Sequence, residues 1–144
     1  RDDERPGPPC YCGKSGCLET WISGPGLAAD HRRTTGETVD ATTLGGRDDA
    51  QSAETLRRHA DRVARGLATV INVLDPEVIV LGGGVSNLPR LAEMVTEALP
   101  RYVFSDTVTT RVVRNVHGDS SGVRGAARLS LRESADQAAK ISAE

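Results

Sequence analysis

Three cysteines fall within eight residues, in the run Cys10-Tyr11-Cys12-Gly13-Lys14-Ser15-Gly16-Cys17-Leu18-Glu19. Gly13 and Gly16 tolerate the positive-φ turns that would fold the three sulfurs toward one point. Zinc takes four tetrahedral sulfur or nitrogen ligands. Cys10, Cys12 and Cys17 offer three, and no fourth stands nearby. The same residues also suit one disulfide and a free thiol. The odd count, with no secretory leader recognisable ahead of the loop, favours reduced thiols around a metal and a cytoplasmic setting.

Two further features could act on a ligand. Glu19 stands two residues past Cys17 at the start of a helical pattern, so a metal-pinned loop would hold its carboxylate rigidly. It is equally a helix-start carboxylate that complements the dipole. Gly82, Gly83 and Gly84 follow an apolar run and precede a helical pattern. Backbone can approach a ligand closely there, and a helix N-terminus beyond would offer free N–H groups. A tight strand-to-helix turn explains the triplet as well. The dinucleotide fingerprint is incomplete, because no acidic residue follows at the required spacing. Asp119 reads as a turn or cap residue. His31, His59 and His117 are not at ligand spacing from the cysteines and read as surface or structural histidines.

The elements that must position these residues follow from periodicity and punctuation. Leu18 to about Arg33 reads as two helical pieces broken at Ser23-Gly24-Pro25-Gly26, with Ser23 as a cap. Thr34 to Gly46 reads as a loop. From about Asp48 to Leu74, apolar residues at Leu56, Ala60, Val63, Ala64, Leu67, Val70, Ile71 and Leu74 form one helical stripe. Arg57, Arg58, Asp61, Arg62 and Arg65 occupy the other side, and Asp75-Pro76 ends the helix. Val78–Leu81 is a β-branched run suited to a parallel strand buried on both faces, against which the long helix would pack. Leu88 to Leu99 predicts a helix stopped by Pro100. Thr109 to Val116 predicts a second strand, and Val123 to about Arg132 a last helix capped by Ser120 or Ser121. The residues after it continue the helix or fray. Strands alternating with helices make this an α/β chain with a parallel sheet. Two strands alone form a marginal sheet, so further strands or a partner are expected.

Composition excludes several classes. The 18 basic and 20 acidic residues of the 144 give no electrostatic footprint for nucleic acid. Trp21, Phe104, Tyr11 and Tyr102 are too few for a base-stacking platform. The longest purely apolar run is four residues, far short of a membrane span.

Three motifs together resemble one family. Cys10-x-Cys12-Gly13-x-x-Gly16-Cys17-x-Glu19 with Ser23-Gly24 is similar to the zinc signature of the ROK sugar kinases. So are Asp75-Pro76-Glu77-Val78-Ile79-Val80-Leu81-Gly82-Gly83-Gly84-Val85-Ser86-Asn87 and His117-Gly118-Asp119-Ser120-Ser121-Gly122-Val123-Arg124-Gly125-Ala126-Ala127. Their texture looks most like the bacterial fructokinase branch. The resemblance implies ATP- and magnesium-dependent phosphoryl transfer to a hexose hydroxyl. It implies an incomplete C-terminal lobe of the actin-like, hexokinase-type (RNase H-like) ATPase fold with a zinc-binding loop. Residues 1–46 would form a zinc and sugar-side segment, 47–133 a nucleotide-side segment, and 134–144 a helical or disordered tail. By the same resemblance, Cys10, Cys12 and Cys17 would bind structural zinc with one upstream histidine. Glu19 would bind sugar, and Gly82, Gly83 and Gly84 would border adenosine. The parent would be a homodimer. The family's catalytic aspartate, phosphate loop and sugar-binding Glu–His pair lie upstream in its chain order and are not in this sequence, so no residue here is the catalytic base. The family also contains transcriptional repressors, whose C-terminal part would look similar.

Overall fold

The computed structural model describes residues 1–120 and 122–131. The expected cap at Ser121, the helix end at Arg132 and the tail over 134–144 lie outside the described residues. The elements are α1 (Glu19–Ile22), α2 (Gly24–Thr35), α3 (Ala41–Gly45), α4 (Ala50–Leu74), β1 (Val78–Leu81), α5 (Leu91–Ala98) and β2 (Arg111–Arg114), with a further helix over 122–131. None of the described helices is long and apolar enough to cross a membrane.

Local chemistry sets the helix boundaries. Ser23 Oγ accepts from the Gly26 N–H at 3.2 Å and starts α2, with Pro25 in its first turn. The Asp49 carboxylate accepts from the Ser52 N–H at 2.8 Å and starts α4. Asp75, forced out of the helical region by Pro76, takes a left-handed conformation at φ 44° and ends it.

The stretch 34–46 is not a loop throughout. Asp40 accepts from the Thr43 N–H at 2.9 Å and caps α3, and buried Val39 and Leu44 anchor that turn in the core. The α5 helix starts at Leu91 rather than Leu88, because Leu88 precedes Pro89 and is held extended at ψ 131°. Pro100 does not stop the chain's winding: it sits in the first turn of a 3-10 helix, Leu99–Arg101, where its missing N–H costs nothing.

The two strands pair in parallel, Val78 opposite Arg111 through Leu81 opposite Arg114. The expectation of burial on both faces fails. Val80 is 60 % exposed, because among the described residues β1 has β2 as its only partner and one face of the sheet is uncovered. Nor does the long helix rest chiefly on β1. The core runs from Leu27 and Leu44 through Ala60, Ala64 and Ile71 of α4 to Leu91, Val95 and Leu99, so α4 packs on α5 and α2, and α5 bridges it to β2. Residues 1–46 and those after them thus share one core.

Candidate metal and substrate site

The cysteine loop is closed by backbone. Cys10 N–H donates to the Lys14 carbonyl at 2.8 Å, Gly13 N–H to the Cys10 carbonyl at 3.0 Å and Gly16 N–H to the Pro8 carbonyl at 2.8 Å. Gly13 and Gly16 have φ of 81° and 72°, as their place between the cysteines requires. Gly7 lies so close that a Cβ on it would fall 2.2 Å from Gly16 Cα.

This weave brings all three sulfurs within 4.8 Å of one another, with Cys12 and Cys17 at 3.4 Å. Tetrahedral zinc with bonds of ~2.3 Å needs its sulfurs ~3.8 Å apart, so the spacing fits. No disulfide joins them. The Lys14 backbone N–H and then the neighbouring thiols hold Cys12 below the ordinary thiol value. Cys12 and Cys10 beside it push Cys17 up to about 11. Crowding therefore opposes ionising all three, and a bound divalent cation would remove that opposition. Among the described residues the cluster contains no fourth ligand.

The other candidates fall into two groups. Glu19 opens α1 directly after this loop, and its side chain is exposed. His31 and His59 are fully buried, and neither belongs to the cysteine cluster. His31 Nδ1 pairs with Thr55 Oγ1 at 3.0 Å. Burial lowers the His59 pKa to about 4, with the positive charge of Arg62 adding to the effect. Asp119 lies in a one-turn 3-10 helix, Gly118–Ser120.

The glycine triplet adopts a different turn from the one expected. After Gly83, at φ 75°, comes a 3-10 turn, Gly84–Asn87, and α5 begins only at Leu91. No α-helix N-terminus therefore aims directly at the glycines. Ser86 Oγ donates to the Gly83 carbonyl at 2.7 Å, and Asn115 Nδ2 donates to Ser86 Oγ at 3.2 Å and to the Leu81 carbonyl at 3.1 Å. Only Gly83 needs glycine for its backbone. A Cβ at Gly84 would meet nothing within 4 Å. Gly84 opens onto a cavity of about 460 Å³, lined also by Gly24, Pro25, Ala41, Thr42 and Leu88. The turn carrying Glu19 runs straight into that lining through Ser23 and Gly24.

The ROK family model matches residues 3–133. The chain belongs to the ROK family. It is 34 % identical over 127 residues to the N-acetyl-D-glucosamine kinase of Escherichia coli O1:K1 / APEC, covering 86 % of this chain and 42 % of that one. In structure it resembles the ROK hexokinase of Thermus thermophilus, at TM-score 0.67 and 33 % identity over 81 % of this chain and 42 % of that one. A ROK family glucokinase from Streptomyces griseus, solved with glucose and AMPPNP, shares the fold at TM-score 0.75 and 24 % identity, over 85 % of this chain and 47 % of that one. The chain thus spans less than half the length of these relatives.

Within this ROK body, sequence reasoning missed what holds the site. Arg62 and Arg65 do not lie on a solvated face. Glu4 accepts from Arg62 Nε at 2.8 Å and from both Arg65 terminal nitrogens at 2.8 Å. Asp30 accepts from Arg33, Arg58 and Arg62. Tyr102 donates to Asp61 at 2.5 Å. A second cavity of about 670 Å³ between this network and the cysteine loop is lined by Gly16, Leu18, Trp21, Arg62 and Gly66. Charges spaced three and four apart on a helix look alike whether solvated or paired across the fold. Asn115 carried no signal at all, since its role is to stitch a turn formed 29 to 34 residues earlier.

Proposed function

We propose that this chain is the C-terminal portion of an ATP-dependent hexose kinase. The observation that carries the reading is the placement, on one rigid body, of a metal-type cysteine cradle, the Glu19 turn that leaves it, and the glycine-lined cavity which that turn enters. Glu19 hydrogen-bonds a sugar hydroxyl. Gly82, Gly83 and Gly84 border the adenosine, whose base has room in the cavity between Pro25, Ala41 and Leu88. Cys10, Cys12 and Cys17 hold structural zinc with an upstream histidine. Phosphoryl transfer depends on positioning and charge stabilisation, which magnesium supplies at the phosphates when bound. This chain's share is to orient sugar and nucleotide relative to each other; the general base belongs to residues upstream. The whole protein is a cytoplasmic homodimer.

The motif texture favours fructose, and the curated relative acts on N-acetylglucosamine. A coupled assay of the longer protein across fructose, glucose, mannose and N-acetylglucosamine decides between them. Turnover with one of these sugars and ATP is expected. No turnover with any, together with sequence-specific DNA binding, would assign the protein to the regulator branch.

A further inference from the structure

We propose that Arg62 is the positioning residue of the sugar-side turn: from α4 it fixes, through Trp21, where α1 holds Glu19. The proposal rests on the sugar role given to Glu19 above.

Arg62 is 5 % exposed. Its Nε donates to Glu4 Oε1 at 2.8 Å and its Nη2 to Asp30 Oδ1 at 3.0 Å. Its guanidinium carbon lies 4.5 Å from the Trp21 ring centroid. These partners belong to three different elements: the 3-10 turn Asp2–Glu4, α2, and α1. Nη1 is buried with no hydrogen-bond partner among the described residues.

A planar fork that must meet two carboxylates has little freedom left, and its face is then presented to the indole in one orientation. α1 packs on both α2 and α4. Leu18 rests against Gly66, where a Cβ would fall 3.0 Å from its Cδ2, and the cavity of about 670 Å³ opens between them. The cavity leaves this side of α1 partly unpacked, and the directional Arg62–Trp21 contact fixes its orientation there. Trp21 is two residues from Glu19 in a helix of four. A shift of the α1 backbone at Trp21 is shared by Glu19. A displacement on the order of 1 Å in a binding group is enough to weaken a productive contact severely.

The test has two arms. In the 144-residue chain Trp21 is the sole tryptophan, so its emission reports the surroundings of this indole. Arg62→Met is expected to red-shift that emission and to speed amide exchange over residues 18–22 about tenfold, with α4 and α5 still protected. Arg62→Lys, which keeps charge without the fork, should fall between. Should Arg62→Met not fold, Arg62→Lys and Glu4→Gln carry the same comparison. In the longer protein, Arg62→Lys should raise the hexose KM about tenfold and leave the ATP KM within about twofold, with zinc content unchanged. Unaltered exchange over 18–22, or equal movement of both KM values, would overturn the proposal. Altered exchange in the Arg62 variants, with a longer wild-type protein that phosphorylates no hexose, would support the fixing of α1 by Arg62 and remove the sugar role from Glu19.

Discussion

Cys12 and Cys17 sit 3.4 Å apart with Cys10 beside them, a spacing that suits three sulfur ligands around one cation. Replacing Cys12 with serine is therefore expected to cost the protein its zinc, read as released metal against a chromogenic chelator. Full retention would remove the metal from this loop. The buried charges make a separate prediction about acid. Arg65 and Arg62 hold the Glu4 pKa at about 2, below its usual 4.5 and against the effect of burial. Burial acts on Asp30 in the opposite sense, yet hydrogen bonds from Arg62 and Arg33 bring it to about 2, below its usual 3.8. Lowered carboxyl values stabilise the folded chain above the unfolded pKa, and that stability drains as pH falls from about 4.5 toward about 2. His59, buried neutral at about 4 against an ordinary 6.5, adds an earlier loss between those two values, because the unfolded chain protonates first. Acid unfolding followed by circular dichroism should thus show His59→Asn removing the slope above pH 4 and Glu4→Gln reducing the slope below it. Identical profiles would refute both assignments. The sulfur cluster and the glycines that fold it were legible in the sequence because their contacts are local. The Arg62 network was not, since Glu4 and Asp30 approach it from 58 and 32 residues away.

At the level of elements, burial separates residues that the sequence treats alike. Val95 on α5 is fully buried between α4 and the sheet, whereas Val80 on β1 is 60 % exposed. Val95→Ala should cost about 2 kcal/mol or more in chemical denaturation. Val80→Thr should stay within about 0.5 kcal/mol. Similar losses at both would mean that the open face of β1 is covered in solution. The long helix and the first strand were legible because their periods are strong and unbroken. The α3 helix was hidden by its brevity, although Asp40 before Ala41-Thr42-Thr43-Leu44 carried a cap signal. The α5 start was misplaced because Pro89 lies inside an apolar pattern whose period continues through it.

For the whole molecule, the described residues hold two strands with one sheet face uncovered, and the chain spans less than half the length of each relative; the proposed function makes this body part of a larger one. The 144-residue chain alone should release no ADP in the presence of ATP and hexose, since the proposed function gives it the orienting of substrates and no base. Sugar-dependent release above a blank would contradict that. The division of labour across the body is the central claim, and paired KM measurements on the longer protein test it most directly. Glu19→Ala is expected to raise the hexose KM at least about tenfold with the ATP KM nearly unchanged. Gly84→Val, whose side chain would enter the cavity without straining the backbone, should do the reverse. If both variants move both constants equally, the sugar-side and nucleotide-side assignments are wrong.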